Sequence, residues 1–343
     1  MRYWVVQVTR ATCANQRSGP ARAVSLCAFL GLATACGGRL NAGWDQPRGL
    51  LPVDARNPVV LGVDGPYDNW LGEYAMLLAS TRGPLLGGII VNESPAGNLD
   101  DSMAGWQQMV SAARESGLPS IPEPLASTGT VLVRPSDATI DSTVPNDSEG
   151  ARFIIETSQR LAEPDLPLVV VTGGRLTDVA DAYLVDHTVT DRVVVVSALG
   201  SASEDGGKMG IPNGEMDTWA DVIVAQKFRY VQVSGYYDQK ADVPDNLLPQ
   251  LPDNPFTSWV RAKQLQVYDD LDACDQVGIL AVAVPSFVLA VERVVQGDTG
   301  TDDIPTLSGD PDGPIWLVTR VDGSVATESF QQMLVDPATF QTE

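Results

Sequence analysis

Short runs of wholly apolar, β-branched residues recur along the chain, and helical patterns separate them. Val59–Val63, Leu168–Thr172 and Arg192–Ser197 are the clearest, the last with four consecutive valines at its centre. A strand with one wet face alternates polar and apolar residues, whereas a strand that is apolar throughout must be covered on both sides. Leu85–Val91 and Tyr230–Ser234 read as further strands. Trp70–Ser80, Asp101–Ser116 (ended by Gly117), Glu149–Leu161, Leu176–Leu184 and Thr218–Lys227 read as helices between them. This alternation predicts an α/β fold, an open, mostly parallel, twisted sheet with helices on both faces. Val131–Arg134 reads as a short extended piece. After Asp242 the chain becomes Pro-rich. It holds a helix near Thr257–Asp272 and a buried helix over Ile279–Val295, interrupted at Pro285. Ile315–Val321 and Val325–Phe330 flank Asp322-Gly323-Ser324, a hairpin signal. No internal repeat is present, and 343 residues with 44% hydrophobic content suffice for one large α/β domain.

The first 57 residues read differently from the rest. Arg2, Arg10, Arg17 and Arg22 lead into an apolar stretch, Ala23–Ala35, with no acidic residue before Asp45. At about 13 residues the stretch is short for a bilayer span and suits an export signal. It ends Leu32-Ala33-Thr34-Ala35-Cys36-Gly37-Gly38, which resembles a bacterial lipobox with Ala33 where Leu is usual. The expectation is a signal peptide over 1–35, a Gly/Pro/Arg/Asn-rich tether over 36–57 and a folded domain over 58–343. The protein would be exported and would meet a membrane only through a lipid on Cys36. Cys13 and Cys27 fall in the leader, so Cys274 stands alone in the domain and no intrachain disulfide framework exists. Lys plus Arg number 22 against 44 Asp plus Glu, a net charge of −22. That balance excludes nucleic acid as a partner, because phosphate binding needs a basic face. A small molecule remains, and a homo-oligomer is compatible with the composition.

The chemistry-bearing feature follows the first strand: Gly62-Val63-Asp64-Gly65-Pro66-Tyr67-Asp68-Asn69. Oxygen-bearing side chains crowd into a turn at the C-terminal end of a strand, where ligands bind in open α/β sheets. A hard divalent cation neutralises such a cluster well. The alternative is an acidic N-cap, Asp68 or Asn69 opening the helix Trp70–Ser80.

Four segments in order, spanning roughly Pro58 to Phe330, resemble the nucleoside hydrolases of the inosine-uridine-preferring type, a family with a Ca²⁺-dependent N-ribohydrolase site. The family motif D-x-D-P-G-x-D-D corresponds to Gly62–Asn69, with Gly62 for the first Asp, Gly-Pro for Pro-Gly, and Asn69 for a metal carboxylate. The motif T-G-(P/G)-L-T-N-(I/L)-A corresponds to Thr172-Gly173-Gly174-Arg175-Leu176-Thr177-Asp178-Val179-Ala180, with one residue inserted and Asp178 for Asn. E-F-N corresponds to Glu215-Met216-Asp217, and H-D-P-L-A-V-A to Cys274-Asp275 and the apolar run after it. Ile89-Ile90-Val91-Asn92 is a weaker match to a strand ending in Gly-Asn.

The resemblance implies a nucleoside hydrolase-like fold, with Asp64, Asn69, the Thr172 carbonyl and Asp275 as metal ligands. Asp64 would also be the base that activates water, and Asp68, Asn92, Glu215 and Asp217 would hold the ribose. Ca²⁺ is the implied ion, since the set is oxygen-only. The implied activity is hydrolysis of an N-glycosidic bond in a nucleoside or related ribosyl compound. Cys274 stands where many members have a His that assists the leaving base, so Trp219 or Tyr236 would serve by stacking. The residues themselves leave alternatives open. Gly173-Gly174 suits any tight strand-to-helix turn, Asp217 or Thr218 suits an N-cap, Asn92 suits a turn, and His187 reads as a surface residue. A surface lipoprotein that binds a sugar or nucleoside without turnover is the alternative function.

Overall fold

β1 (Val59–Val63) is buried at every position and hydrogen-bonds along both edges, in parallel to β2 (Leu86–Val91) on one side and to β4 (Leu168–Gly173) on the other. Valines and a leucine with no polar side chain to desolvate lose nothing in that central place. The computed structural model describes residues 49–64, 85–93, 98–198, 216–233, 248–267, 276–299, 305–335 and 342. Among them the sheet has nine strands in the order β3-β2-β1-β4-β5-β6-β9-β7-β8. The others are β3 (Pro124–Ala126), β5 (Val193–Ala198), β6 (Arg229–Val233), β7 (Val288–Thr299), β8 (Pro305–Gly309) and β9 (Ile315–Val321). All pairings are parallel except β9–β7 and β7–β8. The mostly parallel α/β sheet expected from the sequence is the observed fold.

Alternate residues of each strand face opposite cores. Leu61, Val63, Val171, Val196 and Val231 pack with Trp106 and Met109 of α1 (Leu99–Glu115) and with α6 (Gln276–Ala283). Val60, Val170, Val195 and Tyr230 pack with α2 (Glu149–Leu161), α3 (Thr177–Val185) and α4 (Thr218–Lys227). α5 (Pro255–Val267) and α7 (Gly323–Val335) lend Phe256, Ala326 and Met333 to the first core. Local signals set the helix ends. Asn98 caps α1 through the Asp101 amide, and Gly117, at φ +101°, supplies the left-handed residue that stops it. Ser148 caps α2 through the Ala151 amide.

The chain winds outward from β1 through β2 to β3 with α1 on one face. It then crosses back to β4 and winds the other way, through β5 and β6, with α2, α3 and α4 on the opposite face. The reversal falls between β1 and β4 and opens a crevice at their C-terminal ends.

Four expectations are corrected. Ile279–Val295 is not one interrupted helix: α6 ends at Ala283, and Val288–Thr299 is strand β7. A short apolar run fits a buried helix or a buried strand equally by period, and the β-branched residues after Pro285 decide for the strand. Val325–Phe330 is not a strand. Asp322 Oδ1 accepts the Ser324 and Val325 amides at 3.0 and 3.3 Å, so Asp322-Gly323-Ser324 starts helix α7. The edge strand is Pro124–Ala126, while Val131–Arg134 pairs with no strand. Finally, the segment read as tether is already folded by its end. Leu51 and Val53 are buried in the first core, and Asn57 Nδ2 donates to the Pro167 carbonyl at 2.8 Å. The leader with Cys36 and the segment Trp70–Ser80 lie outside the described residues. Among those described, no helix is long and apolar enough to cross a membrane.

Leu51 gives a direct check on the tether boundary. Leu51→Ala should cost about 2–4 kcal/mol in urea unfolding, the usual range for truncating a buried leucine. A residue in a free tether would give no change.

Candidate functional site

The crevice between β1 and β4 places three of the residues singled out in the sequence side by side. Asp64 follows β1 directly and is 8% exposed. Val63 pairs with Gly173 of β4 and with Val91 of β2, and Gly62 pairs with Thr172. The Asn92 amide donates to the Val63 carbonyl at 2.7 Å, so Asn92 ends β2 beside Asp64. The indole Nε1 of buried Trp106 donates to the Asp64 carbonyl at 2.8 Å and fixes the main chain there. Gly174 is needed for close approach: a Cβ on it would lie 3.1 Å from Asp64 N and 3.3 Å from Asp64 Cβ.

Thr172 and Asn92 are buried, at 1% and 2% exposure, and Thr172 Oγ1 and Asn92 Oδ1 have no hydrogen-bond partner. A buried polar atom left unpaired costs about 1–3 kcal/mol. Two of them on the strands flanking a carboxylate form an oxygen-rich place that a polyhydroxyl ligand or a hard cation would satisfy. Of the expected metal set, Asp64 and Thr172 are brought to this crevice. Asp68, Asn69, Glu215, Asp275, Cys274 and Tyr236 lie outside the described residues. Among those described, no group of three His, Cys, Asp or Glu side chains stands together as a metal site.

Asp217 and Trp219 occupy interior positions, which corrects the roles anticipated for them. Asp217 is 1% exposed and caps α4 through the Ala220 amide at 3.1 Å. Its Oδ2 accepts Thr177 Oγ1 at 2.6 Å and the Leu132 amide at 3.0 Å. With both oxygens so engaged, it serves as the helix cap and not as a carboxylate held out to a sugar. The Trp219 ring is 3% exposed, donates Nε1 to Thr143 Oγ1 at 2.9 Å and carries the Arg134 guanidinium over its face, so it stacks on the protein itself. His187 is exposed and stacks on Tyr183, the surface placement read from the sequence.

Sequence reasoning missed a set of buried acids that lace the irregular segment 127–148 to the helices. Asp178 Oδ1 accepts the hydroxyls of Ser127 and Ser148. Asp181 accepts the amides of Asn146, Asp147 and Ser148, at 2.8, 3.2 and 2.8 Å. Those bonds hold Asp147 in a left-handed conformation, φ +55°, just ahead of α2. Gly150 is required opposite them, since a Cβ there would fall 2.5 Å from Asp178 Cγ. The available signal was four acids at helical spacing near two helix starts, Asp178, Asp181, Asp217 and Asp221, in stretches otherwise apolar.

Neither a family model nor a curated protein matches the sequence. Solved structures do match. An inosine-guanosine nucleoside hydrolase superposes with a TM-score of 0.60 at 17% identity, over 80% of this chain and 98% of that one. A purine-preferring ribonucleoside hydrolase from Gardnerella vaginalis gives 0.59 at 14% identity, over 81% and 99%. The inosine-uridine preferring nucleoside hydrolase from Bacillus anthracis gives 0.56 at 15% identity, over 82% and 99%. The chain therefore has the nucleoside hydrolase fold.

Asp221, one turn after Asp217, has a different consequence. It is 2% exposed with Oδ1 unpartnered, and burial, reinforced by the nearby Asp217 carboxylate, pushes its carboxyl far above the ordinary range. Burial raises Asp178 and Asp217 in the same direction, against their hydrogen bonds and Arg175. A raised pKa means that the folded state holds a proton the unfolded state has released. Stability is then complete below the ordinary carboxylate pKa and falls as pH rises from there through the folded value. Asp221→Asn should flatten that decline, by up to about 1.4 kcal/mol per pH unit. Chemical denaturation at several pH values between 4 and 8 checks it, and parallel curves for the two proteins would refute it.

Proposed function

We propose that this chain hydrolyses the N-glycosidic bond of a neutral nucleoside or related riboside, with a calcium ion held at the C-terminal ends of β1 and β4. The observation that carries the reading is the crevice itself: Asp64 at the winding reversal, flanked by the buried, unpartnered oxygens of Asn92 and Thr172. The likeness in fold to nucleoside hydrolases supports the same chemistry.

Asp64 takes the proton of the attacking water. Asn92 offers its amide oxygen to a ribose hydroxyl, and Asp68 and Glu215 are proposed to hold the remaining sugar hydroxyls. Asn69, the Thr172 carbonyl and Asp275, with Asp64, are the proposed ion ligands. The ion supplies fixed positive charge that orients water and sugar hydroxyls. Asn69 carries no charge, so the site binds calcium more weakly than one with another carboxylate. The cleaved sugar passes through an oxocarbenium-like state, which nearby carboxylates stabilise. The same carboxylates, in a chain of net charge −22, repel phosphate, so the substrate is a nucleoside and not a nucleotide. A lipid on Cys36 would hold the enzyme at the outer face of a membrane.

Cys274 has no imidazole to protonate a departing base, and a thiol is a poor acid for that task. A p-nitrophenyl riboside should therefore be cleaved much faster than inosine or uridine, and Cys274→His should narrow the difference. Ribose release should require calcium and should fall at least about a hundredfold in Asp64→Asn, the scale of losing a general base. Calcium binding without release from any of these substrates would make the protein a binder. Full activity in Asp64→Asn would remove Asp64 as the base.

A further inference from the structure

Arg175 follows the Gly173-Gly174 turn that lies against Asp64, at the position where the motif carries its inserted residue. It is 8% exposed, NH2 donates to the Gly129 carbonyl at 2.7 Å, and Nε is buried without a partner. A guanidinium this deeply buried needs counter-charge. Two carboxylates flank it. Asp178 and Asp217 are both buried, and both stand where the resembling motifs have a neutral Asn. Arg175 draws each of them back toward the charged form.

The three groups divide one stretch of chain among them. Asp178 accepts Ser127 Oγ, Arg175 donates to Gly129 O, and Asp217 accepts the Leu132 amide. Asp217 also accepts Thr177 Oγ1, two residues after Arg175, so the β4–α3 turn and segment 127–132 share the same charges. We propose that Arg175 is a positioning residue: with Asp178 and Asp217 it forms a buried charge triad that fixes the turn against Asp64 and pins segment 127–132 beside it. The triad is a property of the fold, and its use in catalysis rests on the hydrolase reading above.

A charge triad and a space-filling arginine differ in what rescues them. The test uses the full chain as wild type, R175M, D178N/D217N and the triple variant, read by melting temperature and by amide exchange over residues 127–132 and 172–177. R175M leaves two buried acids without a counter-charge. It should lower the melting temperature by about 5 °C or more and speed exchange in both segments. D178N/D217N should also destabilise, because it strands the guanidinium. The triple variant should recover at least half of what R175M loses and slow exchange again, since Asn keeps an acceptor oxygen while the charges leave together. Should R175M fail to fold, a folded triple variant supports the triad and an unfolded one overturns it. Additive losses, a triple variant no better than R175M, or exchange in the two segments unaffected by R175M would also overturn it. Calcium titration and ribose release on the same proteins are read separately: a wild type that does neither counts against the hydrolase reading, while the melting and exchange pattern still decides the role of Arg175.

Discussion

The pairing of β1 on both of its edges is the constraint from which the rest of the molecule follows. A five-residue strand with neighbours on each side and helices above and below can carry only apolar side chains, and Val59–Val63 meets that demand with one glycine. Because the chain leaves β1 toward β2 and later returns to its other edge as β4, the loops after these strands part to opposite sides. The opening is a product of connectivity. Whatever residue follows β1 stands in it, and here that residue is Asp64.

The second organising element is electrostatic. Carboxylates buried in a protein cost several kcal/mol each unless donors surround them. Asp178, Asp181 and Asp217 recover that cost by accepting amides and hydroxyls from a segment with almost no regular structure. The exchange works in both directions, because backbone amides of segment 127–148 lacking a ladder partner also need acceptors. Asp221, on the same helix face as Asp217, receives no such donation at Oδ1 and is held neutral instead. Two aspartates one turn apart thus differ in charge by what reaches them.

The strands were legible because parallel strands buried on both faces have no other reading, and Val193–Ala198 with its valine run could hardly be helix. The helices after Asn98 and Ser148 were legible from period and cap. What failed was ambiguous for a physical reason. The run after Pro285 is apolar and short, so period alone cannot separate strand from helix, and Asp-Gly-Ser serves equally as a turn and as an N-cap. Of the site, Asp64, Asn92 and Thr172 were visible because strand ends are visible. Asp217 was misjudged because its partners, Leu132 and Thr177, lie 85 and 40 residues away, and no local pattern reports a contact of that range.

The packed segment Leu51–Asn57 feeds straight into β1. Tension applied from the N-terminal side would run along the axis of the innermost strand, not peel an outer one. Its bonds to β2 and β4 would then be strained together, in shear, and no single bond could yield first. Rupture under such a pull is governed by the unfolding barrier and not by the folding equilibrium. Coupling the N-terminal segment to the centre of the sheet is thus the arrangement in which a protein held at that end resists drag best.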